Sequence, residues 1–348
     1  MSTPIRSLQG VPLDRVCLVM MSAVGDAVHA LPVVNAIKRH APQSRLTWIL
    51  QPGPATLVRA HPSVDDIIEF DRSRGLGAFT EIREALRNKP FDVVIALQVY
   101  FKAGLVTSFT RAPIKVGFDR ERARDFNWVF TNRRIPAHEP QHVQDQYFEF
   151  LTALGIPTEP VTWNLGPRDD ERPWQREFFS HLSRPAAAIV VGTSKPDKDW
   201  MPERWAAVAD ALYSDHGLQP VLVGGKSARE MDAAAVIERM ASCKPVNALG
   251  SGLRNLVSII DGSALVLSPD TGPLHMSVAL ERPVISLIGF MNPKRIGPYR
   301  RYHDLMIDAY GDPGEDYPIT MDKRRGRMKR ISVRDVMEKV DVWKSRYR

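Results

Sequence analysis

Cysteine is scarce in this chain: Cys17 and Cys243 are the two present, far apart and in no metal-like cluster. A disulfide framework is therefore excluded as the basis of the fold. No stretch approaches the run of about 18 apolar residues that a membrane-spanning helix needs. Glycine is thin where a dinucleotide site would demand it, because Ser22-Ala23-Val24-Gly25-Asp26 has one glycine where G-x-G-x-x-G needs three. A nicotinamide enzyme is thereby disfavoured. A secretory signal is also not expected: the apolar run Val16 to Met21 after Arg15 is short and flanked by Asp14 and Asp26, and it reads as a buried first strand of a cytoplasmic protein.

What is present is ordinary for a soluble globular protein. With 44% hydrophobic and 25% charged residues the chain is neither disordered nor fibrous, and 348 residues exceed what one core usually supports, so two domains are expected. Lys and Arg outnumber Asp and Glu by 47 to 40, a net +7 that favours anionic partners: nucleic acid, acidic lipid head groups or phosphorylated small molecules.

Apolar runs bounded by turn residues alternate with helical patterns, which reads as parallel βαβ units. Strands are expected near 15–21, 45–50, 65–70, 91–97 and 114–118, and helices near 27–40, 76–88, 100–110 and 142–154. Proline and charge then interrupt the pattern across 155–160 and 166–173, a linker without regular structure. A second series follows, with strands at 186–191, 219–224, 264–268 and 283–288 and helices at 202–214, 228–241, 252–261 and 272–280. An amphipathic helix over 332–345 closes the chain. The expected fold class is α/β, with two Rossmann-like domains of parallel strands facing across a cleft: residues 1–168, residues 169–330, and a terminal helix over 331–348.

Four strand-to-helix corners carry chemistry-bearing residues, and the first three each also have a purely structural reading. Asp26 follows Gly25 at the start of the first helix, where it serves either as a helix N-cap or as a general base for an incoming hydroxyl. Thr193, Ser194 and Lys198, in the loop after strand 186–191, are either solvated surface residues or a diphosphate seat with Lys198 offsetting the charge of a leaving oxygen. Asp270-Thr271-Gly272-Pro273 opens a helix that continues to His275. It is good capping chemistry, and it also sets a hydroxyl and backbone N–H groups at a positive helix end suited to phosphate. Glu230, one turn into the helix after Gly224-Gly225, is placed to accept from a ribose or base. Trp200 and Trp205 read as packing residues. In Asp197-Lys198-Asp199 a lysine separates the carboxylates, so no essential divalent metal and no cofactor are expected.

Two basic regions remain. One runs from Arg111 to Arg134, with interleaved acids, and includes Arg120, Arg122 and Arg124. The other, Lys323 to Arg330, is nearly pure cation. Such runs are usually solvated faces, and the second is also a candidate seat for an acidic acceptor or an anionic membrane surface.

Taken in order, Ser22 to Pro32, Thr193 to Trp205, and Asp270 to Leu280 followed by Pro283 resemble the heptosyltransferases of lipopolysaccharide core synthesis in glycosyltransferase family 9. Pro202 departs from that pattern, which usually has proline directly after the tryptophan. The resemblance implies a GT-B fold, an acceptor-binding first domain, and a second domain that binds a nucleotide sugar, ADP-heptose. It implies Asp26 as base; Thr193, Ser194 and Lys198 on the donor phosphates; Asp270, Thr271, Gly272 and His275 in the donor corner; and Glu230 on the nucleoside. Arg120, Arg122 and Arg124 are then candidate contacts for an acidic, lipid-linked acceptor, with peripheral contact to the inner face of the membrane and no nucleic-acid partner. A nucleotide-sugar epimerase and a non-catalytic nucleotide- or sugar-binding protein are the alternatives.

Overall fold

Val16, Cys17, Leu18 and Val19 have no solvent exposure at all, a burial that suits the central strand of a parallel sheet covered by helices on both faces. In the computed structural model, which describes residues 8–348, they lie in β1 (Arg15–Val19). The chain divides into two units, one running to Glu139 and resuming over Val143–Asn164, the other comprising Pro140–His142 and Leu165–Arg348.

The first unit continues with α1 (Val24–His40), β2 (Arg45–Leu50), α2 (Pro52–Val58), β3 (Asp66–Glu69), α3 (Gly77–Leu86), β4 (Val93–Ala96), α4 (Phe101–Phe109), β5 (Ile114–Gly117), β6 (Arg133–Arg134) and α5 (Val143–Leu154). Its strands are ordered β3-β2-β1-β4-β5-β6, and every neighbouring pair is parallel, with Leu18 opposite Trp48 on one side and Ile95 on the other.

The second unit holds α6 (Arg172–Ser180), β7 (Ala186–Val190), α7 (Pro202–Ser214), β8 (Gln219–Val223), α8 (Ala228–Met240), β9 (Val246–Asn247), α9 (Leu253–Gly262) and β10 (Leu265–Pro269). It ends with α10 (Gly272–Ala279), β11 (Val284–Ile288), α11 (Pro293–Ile296), β12 (Met306–Asp308) and α12 (Val333–Arg346). The order β12-β11-β10-β7-β8-β9, again all parallel, is the same topology met from the other edge. Each sheet thus reverses its winding once, between β1 and β4 and between β7 and β10. At such a reversal the loops leave toward opposite faces and open a crevice beyond the strand carboxyl ends.

The tract 166–173 is not wholly irregular, as its proline and charge suggest, because α6 already begins at Arg172. Pro173 falls within the first turn, where a missing N–H costs no helical hydrogen bond. The closing helix α12 packs on α7, β11 and β12 and so belongs to the second unit.

Buried Glu171 fastens the start of this unit to α9, taking Arg254 Nε at 2.8 Å and Nη2 at 2.6 Å and pairing with Arg168 at 2.7 Å. Burial pushes its carboxyl pKa up, but the bonds and charges of Arg254 and Arg168 outweigh that and hold it below its usual value. Breaking a buried pair on one side typically costs about 3–5 kcal/mol. Arg254→Leu should destabilise the protein on that scale at neutral pH in urea denaturation. Because the folded-state pKa is lowered, the difference between wild type and variant should be complete at neutral pH and shrink as pH falls below the ordinary glutamate value of 4.5. A gap that persists undiminished in acid would contradict this pairing.

Candidate active site

The two crevices hold the residues singled out in the sequence. In the first unit the loop after β1 meets the loop after β4 through Gln98, whose Oε1 accepts from Met21 N–H at 2.9 Å and whose Nε2 donates to Ser22 O at 2.6 Å. That side chain fixes the approach to α1. The N-cap is Ala23, and Asp26 is the third helical residue, with Gly25 inside the helix rather than in a turn before it. Asp26 is therefore not the cap. Its Oδ2 accepts the Ala23 N–H at 2.7 Å, while the Tyr147 hydroxyl on α5 lies 3.4 Å from Oδ1. The carboxylate is half-buried at the positive end of a 17-residue helix, a place that stabilises negative charge.

In the second unit the loop after β7 is tied by Asp199. Its Oδ1 accepts the Thr193 N–H at 2.8 Å and lies 2.7 Å from the Thr193 hydroxyl, and its Oδ2 pairs with Arg229 at 2.6 Å. Arg229 in turn donates to Thr193 O. Thr193 is buried and held, whereas Ser194 at the turn is exposed. Across the crevice Lys198 Nζ stands 2.5 Å from Asp270 Oδ2 and 3.3 Å from Asp270 O, joining the β7 loop to the β10 loop. Thr271 caps α10 in an extended conformation without a side-chain bond to its own helix, so its hydroxyl is not used in capping. Gly272 follows as the first helical residue.

His275, on the first turn of α10, is buried. Burial above all, then the fields of His142 and Lys198, push its pKa down to about 3. The imidazole is neutral at working pH, with one donor and one acceptor nitrogen. His142 is oriented by its Nε2, 3.0 Å from Gly297 O, and by Tyr299 against its ring. Lys195 adds to the positive field. Its pKa is lowered by burial and by Lys323 and Lys198, while Asp270 and Asp197 pull the other way. Lysines 195, 198 and 323 thus gather around one loop, an arrangement that suits a doubly charged diphosphate.

Glu230 has a structural duty as well. It closes the capping box of α8, accepting from Gly225 N–H at 2.7 Å, Ser227 N–H at 3.1 Å and the Ser227 hydroxyl at 2.6 Å. Burial raises its pKa, but these bonds outweigh it and the carboxyl sits below its usual range. Its aliphatic stem lies against Gly192, where an added Cβ would come within 2.6 Å of Glu230 Cγ.

Other candidates are placed differently. Arg122 is not presented to a ligand: it pairs with Asp119 and, at 2.6 Å, with Glu149, with little exposure. Arg120 covers the Trp128 ring at 4.5 Å, and Arg124 is exposed. The tract from Lys323 to Arg330 is not a bare cationic patch, because Arg324 pairs with Glu315, Arg327 and Arg330 with Asp312, and Arg325 with Asp197. Trp200 and Trp205 are buried edge-to-face with ring centroids 4.6 Å apart. Among the described residues no group of three or more His, Cys, Asp or Glu is arranged to hold a metal ion. No described helix is long and apolar enough to cross a membrane.

Two Rossmann-ordered units, a carboxylate at one switch point and a cationic seat at the other, define an enzyme of the GT-B glycosyltransferase class. The comparisons agree. The model for glycosyltransferase family 9 (heptosyltransferase) matches residues 79–312. A lipopolysaccharide core heptosyltransferase of Haemophilus influenzae is 31% identical over 330 residues, 92% of this chain and 94% of the relative. Lipopolysaccharide heptosyltransferase 1 of Escherichia coli K12 is 27% identical over 299 residues, 82% of this chain and 91% of the relative. Among solved structures, a family 9 glycosyl transferase from Veillonella parvula superposes with a TM-score of 0.80 at 21% identity, covering 95% of this chain and 97% of its own. The E. coli heptosyltransferase WaaC with ADP gives 0.73 at 23%, covering 96% and 99%. The chain belongs to glycosyltransferase family 9. Of the readings open in the sequence, the epimerase and the non-catalytic binding protein give way to a transferase.

Gln98, Tyr147 and His142 escaped the sequence reading, and Asp199 entered it only in the argument about a metal. The first three act on residues more than 75 positions away, which no local spacing reveals; Asp199, six residues after Thr193, had a readable signal as a loop-tying carboxylate. With a pKa near 3, the His275 ring should show no titration between pH 5 and 8 in two-dimensional NMR. A midpoint near 6.5 would mean that the ring is solvated and charged.

Proposed function

We propose that this enzyme transfers heptose from ADP-heptose, with inversion, to a hydroxyl of the lipopolysaccharide inner core. The observation that carries the reading is the Lys198–Asp270 clamp at the second unit's switch point, in the same field as neutral His275 and two further lysines. It stands in a chain alignable over 92% of its length with a lipopolysaccharide core heptosyltransferase. Solved relatives carry ADP or ADP-2-deoxy-2-fluoro heptose, which supports the same donor class here.

In the proposed step an acceptor hydroxyl gives its proton to Asp26 as its oxygen bonds to the anomeric carbon. The bond from that carbon to the diphosphate breaks, and ADP leaves with the electron pair on the opposite face. Lys198 and the Thr271-Gly272 helix end meet the charge that grows on the diphosphate, and Thr193 and Ser194 hold its oxygens. Lys198 exchanges one anionic partner for another as the donor enters. Asp270 is the counter-charge that keeps this half-buried lysine in place when the donor is absent. Glu230, while capping α8, keeps an oxygen near the ribose. No divalent ion is required, so activity should survive EDTA.

A panel of ADP- and UDP-sugars tests the donor by thermal shift, with ADP-heptose expected to raise Tm most. The product's anomeric configuration, opposite to the donor's by NMR, tests inversion. Asp26→Asn should lower turnover by about 100-fold or more with donor affinity nearly intact; near-normal turnover would remove the base. Lys198→Ala should weaken ADP-heptose binding and slow transfer together.

A further inference from the structure

Four large apolar side chains in the first unit stand open to solvent close together: Tyr100, Phe101, Phe126 and Val129, with exposures of 49%, 46%, 70% and 59%. They belong to two segments that are bonded to each other. Arg124 N–H donates to Val99 O at 2.9 Å, Asn127 Nδ2 donates to Tyr100 O at 2.8 Å, and the Phe101 and Phe130 rings meet edge-on at 5.4 Å. Phe126 lies outward on a backbone held in the left-handed region together with Asp125, at φ 58° and 50°. A phenylalanine adopts that conformation rarely. The patch is therefore a built surface, apolar where a solvated loop would be polar.

Its rim is cationic. Of the eight basic residues between Tyr100 and Arg134, Lys102, Arg120, Arg124 and Arg134 are exposed in or next to the segments that carry the patch, while Arg122 is held by Asp119 and Glu149 and Lys115 by backbone carbonyls. Asp119 is already spent on Arg122. The guanidinium groups of Arg120 and Arg134 both lie against the Trp128 ring, 4.5 and 5.5 Å from its centroid. Lys102 and Arg124 are exposed beside the aromatic residues. An apolar tip within a basic collar matches the two layers of an anionic bilayer surface: rings enter the acyl boundary, cations meet the phosphates, and indole and phenol settle at head-group depth.

We infer that the face formed by Tyr100, Phe101, Phe126 and Val129 docks this enzyme onto an anionic phospholipid surface. The segment after β4 that carries Tyr100 is the one that Gln98 bonds to Ser22, so the docking face shares the carboxyl edge of the sheet with Asp26. The inference gives the lipid-anchored acceptor of the proposed function a route to the base, and to that extent rests on it. The binding itself does not. On this inference the tract at Lys323 to Arg330, whose arginines pair with carboxylates, is not the membrane seat.

The test is co-sedimentation of the whole protein with phosphatidylcholine vesicles containing about a third phosphatidylglycerol, set beside vesicles of phosphatidylcholine alone. Wild type should bind the first and hardly bind the second, with binding weakened by salt. F126D/V129D should lose about tenfold or more of its partitioning while keeping its Tm and its ADP-induced thermal shift. R120E/R124E should lose the preference for anionic vesicles, and R325E/K329E should bind as wild type does. Unchanged binding of F126D/V129D, or loss confined to R325E/K329E, would overturn the inference. So would a concentration-dependent dimer that F126D/V129D abolishes in a protein that ignores vesicles, because the face would then serve a second copy. Vesicle binding combined with no response to ADP-heptose would instead sink the donor reading and leave the docking face standing.

Discussion

A parallel sheet buried on both faces must send its crossover helices to both sides, and the chain can do so only by reversing its winding somewhere. That constraint governs both units. It opens one crevice beyond β1 and β4 and another beyond β7 and β10, and each is spanned by a single clamp. Gln98 joins the two loops in the first unit with an amide, and Lys198 with Asp270 joins them in the second with an ion pair. The neutral clamp stands beside the half-buried carboxylate of Asp26, and the charged one lies among lysines. The same topology therefore carries two different electrostatic environments, one around a half-buried carboxylate at a helix start and one around a cluster of lysines.

Much of this architecture was legible in the sequence, because long buried strands and amphipathic helices announce themselves. Ala186–Val190 and Val333–Arg346 fall within a residue or two of the periodicity. The edge strands Arg133–Arg134, Val246–Asn247 and Met306–Asp308 did not stand out, since two or three residues have no period to read. The helix Pro52–Val58 was hidden by its two prolines, and the start of α6 by Pro173 in a charged stretch. Within the site, Asp26, Lys198 and Asp270 were visible because strand-to-helix corners restrict what a residue there can do. Their partners were not. Tyr147 lies 121 residues from Asp26, and the acids that neutralise the Lys323 to Arg330 tract come partly from Asp197, far upstream. A run of cations reads as a charged surface until the fold shows which carboxylates face it.

Several of the side chains that the proposed function uses are also bonded into the fold. Asp26 secures the first turn of α1, Thr193 and Asp199 close a loop on themselves, and Glu230 caps α8. A ligand arriving there finds groups whose positions folding has already set, so little conformational entropy is lost on binding. A substitution at any of them therefore disturbs the local fold as well as whatever the side chain does for a ligand.

Gly192, Gly224 and Gly225 enclose Glu230 so closely that a Cβ on any of them would lie within 2.6 to 3.0 Å of its side chain. Three backbone positions from two different loops therefore act as a mould for one carboxylate. Alanine at Gly192 would force the Glu230 side chain to move from its place. In a mutational screen these glycines would therefore group with Glu230 itself, although none of the three carries a side chain.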